Sequence, residues 1–365
     1  SSLYALRVRT LIIGVHTPTN SSPYIDSYFE EFVRLVETNR VEYDEVIYVK
    51  LRAIDTAYFF TKGKLQDIAA LCKEKNIDHV IISEQLTPQQ ERNLTDMLEC
   101  KVYDRTQLIL DIFEKAAVTA EGKVQVEIAR LRHKKTRLAG KGIHLSQQSG
   151  VYGLRGGAGE TLKEKETRHI EQSILKLQNK LKKIERHRSL QRKQRLSHHI
   201  PQLCLVGYTN AGKSTLLNTL TKSNVLAEDK LFATLDTTTR ELYIGTVQIG
   251  VLSDTIGFIQ NLPHQLIDAF KATLNELHYA DLILHVVDIS NPNWELHIKV
   301  VHKVLDELSI HKDILYVFNK ADIMHPYISP HTLKLYTPHV VINARDKTSL
   351  TPLLTFLTDW KKGNH

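Results

Sequence analysis

The residues whose types and spacing best suit chemistry lie between Pro201 and Thr215, in the stretch PQLCLVGYTNAGKST. A short apolar run, Leu203 to Val206, ends at Gly207, and the pattern Gly-x-x-x-x-Gly-Lys-Ser then occupies Gly207, Tyr208, Thr209, Asn210, Ala211, Gly212, Lys213 and Ser214. A helical pattern begins at Thr215. Strand, glycine turn and helix in this order make a phosphate-binding loop, because backbone N–H groups curl around phosphate oxygens and the helix adds its positive end. Lys213 is placed to reach the β- and γ-phosphates, and the Ser214 hydroxyl to ligate Mg²⁺.

Further along the chain other groups suit the same nucleotide. The polar segment 224–239 holds Thr234, Thr237, Thr238 and Thr239, any of which could close on Mg²⁺ and the γ-phosphate; spacing alone does not choose among them. Asp254, Thr255, Ile256 and Gly257 follow an apolar strand. The carboxylate suits water-mediated Mg²⁺ coordination, and the glycine lets backbone approach the γ-phosphate. Phe258 stands where a water-orienting glutamine is usual. An apolar ring cannot orient water, so the group that promotes hydrolysis is not named by the sequence. Asn319, Lys320, Ala321 and Asp322 end a buried-type strand, and the Asp322 carboxylate suits the paired N–H donors of guanine, which adenine lacks. Asn343, Ala344 and Arg345 follow a last strand, where backbone amides could meet guanine O6.

The elements that must position these groups alternate along the chain. A length of 365 residues exceeds one ordinary core. Nothing resembles a membrane span or a secretory signal, and the cysteines, Cys72, Cys100 and Cys204, lie far apart, as buried thiols of a reducing cytosol do. Residues from Thr10 to about Ala117 read as strand and helix in turn, with strands at 10–15, 46–49, 79–82 and 101–103 and a helix capped by Thr87. That alternation predicts a small parallel-sheet α/β domain. Gly63 and Lys64 are too little to bind phosphate and read as a loop before a helix. A hairpin over 241–244 and 247–252, turning at Gly245-Thr246, and strands at 282–287, 314–318 and 339–342 complete a second, mostly parallel α/β set.

Between the two sets the chain turns basic. Residues 123–138 and 161–196 have a helical period, and in the second Ile170, Ile174, Leu177, Leu181 and Ile184 step by four and three. Two such helices should pair as an antiparallel hairpin. The second carries Lys176, Lys180, Lys182, Lys183 and Arg186 with few acids among them; the chain's net charge is +7. Such a run can be a merely solvated face, but its concentration makes nucleic acid the leading partner, through phosphate neutralisation. The joining stretch 140–160 is rich in glycine with Arg155 in its middle, and is expected to be a loop that orders against a crowded partner.

These motifs together resemble the HflX-type GTPases of the translation-factor-related group that includes Obg-like proteins. The resemblance rests on Gly207–Thr215, Phe232-Ala233-Thr234-Leu235-Asp236, Asp254–Phe258 and Asn319–Asp322, and upstream on blocks at 86–94, 104–113, 121–127 and 153–161. It implies a GTP-hydrolysing enzyme with Mg²⁺, with Thr234 the switch threonine on the metal and Thr238 the runner-up. It also implies binding to the large ribosomal subunit and its RNA, splitting of stalled or idle ribosomes, and a glycine loop approaching the peptidyl-transferase region. Two departures stand out. Gly156-Gly157-Ala158-Gly159-Glu160-Thr161 replaces a shorter, proline-containing run, and Asn343-Ala344 replaces Ser-Ala. An additional C-terminal domain is expected to be absent or minimal. The expected organisation is an α/β subdomain over 1–119, a basic helical hairpin over 120–197 and a GTPase domain over 198–365, in a cytoplasmic monomer whose turnover is slow until a ribosome accelerates it. Two other classes fit less well. An RNA-remodelling or RNA-modification enzyme would need a cofactor fingerprint or catalytic cysteine, and a nucleotide-locked scaffold would show almost no turnover.

Overall fold

The computed structural model describes residues 7–20, 24–148, 162–222, 227–233, 235–324 and 328–363. The chain divides into two compact units, one of Ser1–Lys115 with Val126–Gln178, the other of Ala116–Gln125 with Asn179–His365.

The first unit alternates β1 (Thr10–His16), α1 (Ile25–Thr38), β2 (Glu45–Lys50), α2 (Lys62–Glu74), β3 (His79–Ile82), α3 (Pro88–Leu98), β4 (Lys101–Tyr103) and α4 (Arg105–Ala116). The strands form a parallel sheet in the order β2-β1-β3-β4. β1 is buried almost throughout, which is why its residues are nearly all apolar or β-branched. Thr87 caps α3 as its position predicts: its hydroxyl accepts the Gln90 N–H at 3.1 Å and the Gln90 side chain accepts the Thr87 N–H at 2.9 Å. Gly63, expected in a loop, lies in the first turn of α2.

Helix α5 (Ala120–Gln148) and helix α6 (Leu162–Ser197) follow. Within the first unit they run antiparallel, with ion pairs from Lys134 to Glu166 at 3.4 Å and from Lys135 to Glu171 at 2.7 Å. One expectation is corrected here. The backbone over 140–148, assigned to the glycine loop, continues α5, because a glycine weakens a helix by only about 1 kcal/mol and does not end it. Residues 149–161, with Arg155, lie outside the described residues. On α6 Ile170 is buried and Ile174, Leu177, Leu181 and Ile184 are half-buried, so the apolar stripe is the covered face.

The second unit contains β5 (Gln202–Gly207), α7 (Lys213–Thr221), β6 (Thr238–Ile244), β7 (Val247–Asp254), α8 (His264–Leu274), β8 (Leu282–Asp288), α9 (Trp294–Glu307), β9 (Ile314–Asn319), α10 (Pro330–Leu333), β10 (His339–Val341) and α11 (Thr351–Gly363). Its sheet runs β10-β9-β8-β5-β7-β6, parallel except for the β6–β7 hairpin. That hairpin turns at Gly245, whose φ of 62° suits glycine. Fully buried Leu203, Leu205, Leu252, Leu284, Val317 and Leu353 hold the sheet to its helices. Each such side chain contributes about 1.5–3 kcal/mol on leaving water. Cys204, between Leu203 and Leu205 on β5, is also buried, which pushes its thiol up to about 12 and leaves it inert. The central strands β5, β8 and β9 all end toward the same edge, where the nucleotide motifs follow them.

Candidate nucleotide site

β5 delivers Gly207 to the end of the sheet and α7 begins at Lys213, so the residues between them form the turn. Two glycines are required by space. A β-carbon at Gly207 would stand 2.5 Å from the Val286 carbonyl, and one at Gly212, where φ is 99°, would stand 2.2 Å from Asn319 Nδ2. Asn210 also takes a positive φ, 61°, and its amide donates to Asp229 at 2.7 Å. Lys213 is buried, and desolvation pulls its ammonium below the ordinary lysine value, with Asp254 opposing that shift. A polyphosphate arriving there would meet a concentrated positive charge in a poorly hydrated site.

Asp254, at the end of β7, is fully buried, and its Oδ2 accepts the Ser214 hydroxyl at 2.9 Å. Two hard oxygens side by side, next to a phosphate cradle, are donors that suit Mg²⁺. Among the described residues no cluster of three or more His, Cys, Asp or Glu could hold a metal ion. Thr234, expected as the second protein ligand, lies outside the described residues.

The segment after Asp254 packs on the turn through backbone. A β-carbon at Gly257 would lie 2.8 Å from Thr209 Cα and 3.2 Å from Lys213 Nζ, so only glycine allows the approach. Phe258 donates its N–H to the Gly207 carbonyl at 3.2 Å and accepts the Thr209 N–H at 2.7 Å. Its ring is fully buried, and Phe258 is not among the residues lining the cradle. Thr255 and Ile256 are likewise turned inward, and the Thr255 hydroxyl donates to the Leu205 carbonyl at 3.1 Å. Tyr208 adds a contact that no motif announces: its ring stacks on His297 of α9 at 3.7 Å and 2°, and its hydroxyl accepts the Gln260 N–H at 3.0 Å. Burial pushes the His297 imidazole down to about 4, with Asp288 opposing, so the stack holds a neutral ring.

The residues expected to recognise the base also meet the turn. Asn319 Nδ2 donates to the Ala211 carbonyl at 2.9 Å, and Asn319 Oδ1 accepts the Ala344 N–H at 2.9 Å. Asn319 therefore ties the phosphate loop to the Asn343-Ala344-Arg345 turn. In that turn Asn343 Oδ1 accepts the Arg345 N–H at 3.1 Å, and the Ala344 carbonyl accepts the hydroxyl of Thr219 at 2.7 Å. Lys320, at φ 63°, donates to Asp288 at 2.8 Å and to the Asn210 carbonyl at 3.2 Å. Ala321 and Asp322 lie in the short 3-10 turn that follows, with the Asp322 carboxylate exposed and available to a base. Ser214 and Thr215 open α7 at the cradle.

The remaining predicted segment divides. Phe232 is buried, its N–H donates to Thr209 Oγ1 at 2.8 Å, and with Ala233 it lines the cradle. Leu235 is buried as an anchor. Asp236, grouped with them in the sequence, points elsewhere: its carboxylate accepts the N–H groups of Val118 at 2.8 Å and Thr119 at 3.3 Å. On α6 the side chains of Lys176, Lys180, Lys182, Lys183 and Arg186 are exposed, and none makes an ion pair among the described residues. No helix among the described residues is long and apolar enough to cross a membrane.

Comparison with known proteins covers most of the chain. Residues 26–114 match the model for a GTP-binding GTPase N-terminal region, 116–195 that for a GTP-binding GTPase middle region, and 202–320 that for a 50S ribosome-binding GTPase. The GTPase HflX of Caldanaerobacter subterraneus is 43% identical over 92% of this chain and 77% of its own length, and that of Escherichia coli is 44% identical over 82% and 70%. A solved GTP-binding protein from Sulfolobus solfataricus, in complex with GDP, is 24% identical over 98% of this chain and 100% of its own, with a TM-score of 0.48. A phosphate loop, a buried Asp254 beside Ser214, an Asn319-to-Asp322 base motif and identity at this level over most of the chain lead to one assignment: the chain belongs to the HflX family of GTPases.

Proposed function

We propose that this GTPase acts on ribosomes: it binds the large subunit in the cytoplasm through its basic helical hairpin and splits or recycles stalled or idle particles. The observation that carries this reading is the row Lys176, Lys180, Lys182, Lys183 and Arg186, which stands exposed and without ion pairs among the described residues. Unneutralised cations along one helix are suited to a phosphate backbone. The 50S ribosome-binding description of the model matched by residues 202–320 supports the same partner.

Residues 207–215 hold the phosphates, with Lys213 on the β- and γ-phosphates. Ser214, Asp254 and, as the resemblance implies, Thr234 would hold Mg²⁺, which would supply charge neutralisation to the phosphates. Asp322 pairs with the guanine N–H groups, and the turn at Asn343-Ala344-Arg345 approaches its O6. Gly257, having no side chain, lets the backbone stand close to Lys213. With Phe258 buried, no side chain at that position orients the attacking water, so turnover by the protein alone is slow and ribosomes accelerate it. The functional modules in this reading are 1–119, 120–197 and 198–365. The testing experiment is sedimentation with purified large subunits. Co-migration with a non-hydrolysable GTP analogue and not with GDP is expected; equal migration with both, or none, would refute the reading.

A further inference from the structure

The carboxylate of Asp236 is bound to a helix rather than to the nucleotide cradle. Its Oδ2 accepts the N–H groups of Val118 and Thr119, and its Oδ1 accepts the Thr119 hydroxyl. The Thr119 oxygen in turn accepts the Gly122 N–H at 3.0 Å, so Thr119 caps the start of α5 while Asp236 caps Thr119. The fit is tight: a β-carbon at Gly122 would lie 1.9 Å from Asp236 Oδ1. A carboxylate on helix-start donors makes charge-assisted bonds where the helix dipole favours a negative charge.

Four residues upstream, the same segment is fixed to the phosphate loop. Phe232 donates to Thr209 Oγ1 at 2.8 Å, and Phe232 and Leu235 are both buried. Phe232, Leu235 and Asp236 are thus each anchored, the first to Thr209 and the last to the start of α5. A second connection reaches the same turns from the other motif. Gln125 donates to Thr273 Oγ1 at 2.7 Å, both side chains being buried, and Thr273 belongs to α8, which follows Gly257 and Phe258. Residues 116–125 belong to the same compact unit as the nucleotide motifs.

We propose that Asp236 is a positioning residue: its carboxylate ties the segment behind the phosphate loop to the first turn of α5, so that the identity of the bound guanine nucleotide sets how firmly that turn is held. A γ-phosphate beside Gly257 and Lys213 bears on the Phe232 and α8 anchors. Asp236 and Gln125 carry the change to α5. The inference rests on the guanine-nucleotide site and needs no ribosome.

Hydrogen exchange of the full chain, with GDP and with a non-hydrolysable GTP analogue, tests it on the wild type, Asp236→Ala and Gly122→Ala. In the wild type the amides of Val118 and Thr119 should exchange at rates differing by about tenfold between the two nucleotides, and in both variants the ratio should fall to within about twofold. Alanine is a better helix former than glycine, so Gly122→Ala expels the carboxylate without weakening the helix. Protection of the 207–215 amides by either nucleotide reports site occupancy separately. If Asp236→Ala shows no such protection, Gly122→Ala alone decides. A wild-type ratio near one in a protein whose 207–215 amides are protected, or a ratio retained in a nucleotide-binding variant, overturns the proposal.

Discussion

The phosphate loop and the basic face of α6 both carry lysines, and we propose phosphate as the target of each, yet they are built in opposite ways. Lys213 is buried, its ammonium weakened by desolvation and set among glycines whose β-carbons would collide with neighbours. Lys176, Lys180, Lys182 and Lys183 stand in solvent on a helix with only a half-buried stripe beneath them. The first arrangement is preorganised, so one charge there is worth far more than it would be in water. The second works by number, and each charge adds a modest, salt-dependent increment. Under the proposed function, the molecule grips one small anion and also meets a large polyanion, and has use for both designs.

The sharpest way to break this comparison is to remove one charge from the buried site. Lys213→Ala should lower kcat/KM for GTP by about 10³, measured by phosphate release; a loss under tenfold would mean that the buried lysine is no better than a surface one. Reversing Lys176, Lys180, Lys182 and Lys183 to Glu together should weaken large-subunit binding by about 10² at moderate salt and reduce the slope of log affinity against log salt by roughly 3. An unchanged slope would show that the row is only a solvated face. GTP affinity measured on the same variant is the control.

A smaller effect reports the packing behind the loop. His297 is held neutral with its value near 4, below the 6.5 of an exposed imidazole, so the unfolded chain binds the proton first as pH falls. Stability is therefore intact above pH 6.5, falls by about 2 kcal/mol by pH 5, and stops falling from this source below 4. The buried imidazole of His285, pushed down to about 3, acts in the same direction. Urea titrations should show a flatter pH dependence in His297→Phe, which keeps the ring stack; an unaltered dependence would exclude this histidine as a source. The smallest change should come from the hairpin. Leu181→Ala removes a half-buried side chain and should cost about 1 kcal/mol, seen as a small fall in thermal midpoint.

Much of this was legible before any coordinates. The strand-turn-helix of the phosphate loop, the Thr87 cap, the β6–β7 hairpin and the apolar strands β8 and β9 all depend on residues near one another in sequence, where turn chemistry and periodicity act directly. The end of α5 was less legible. Glycines at 140 and 142 signal a break, but helical neighbours carry the backbone through them to Gln148. Phe258 reads as an apolar substitute for a polar catalytic group, and only the tertiary structure shows that its ring is fully buried. His297 under Tyr208, and Asp288 under Lys320, are separated from their partners by many residues and belong to no motif.

Asp236 marks the boundary most clearly. The sequence by itself determined that guanine nucleotide would be bound and which backbone turns would hold it, since those functions require particular residues at short, fixed spacings. It placed Asp236 with the nucleotide ligands because it adjoins them along the chain. Tertiary structure alone decided that this carboxylate would bond to Val118 and Thr119, because a hydrogen-bond acceptor is claimed by whichever donors the fold brings within reach, and those lie more than a hundred residues away.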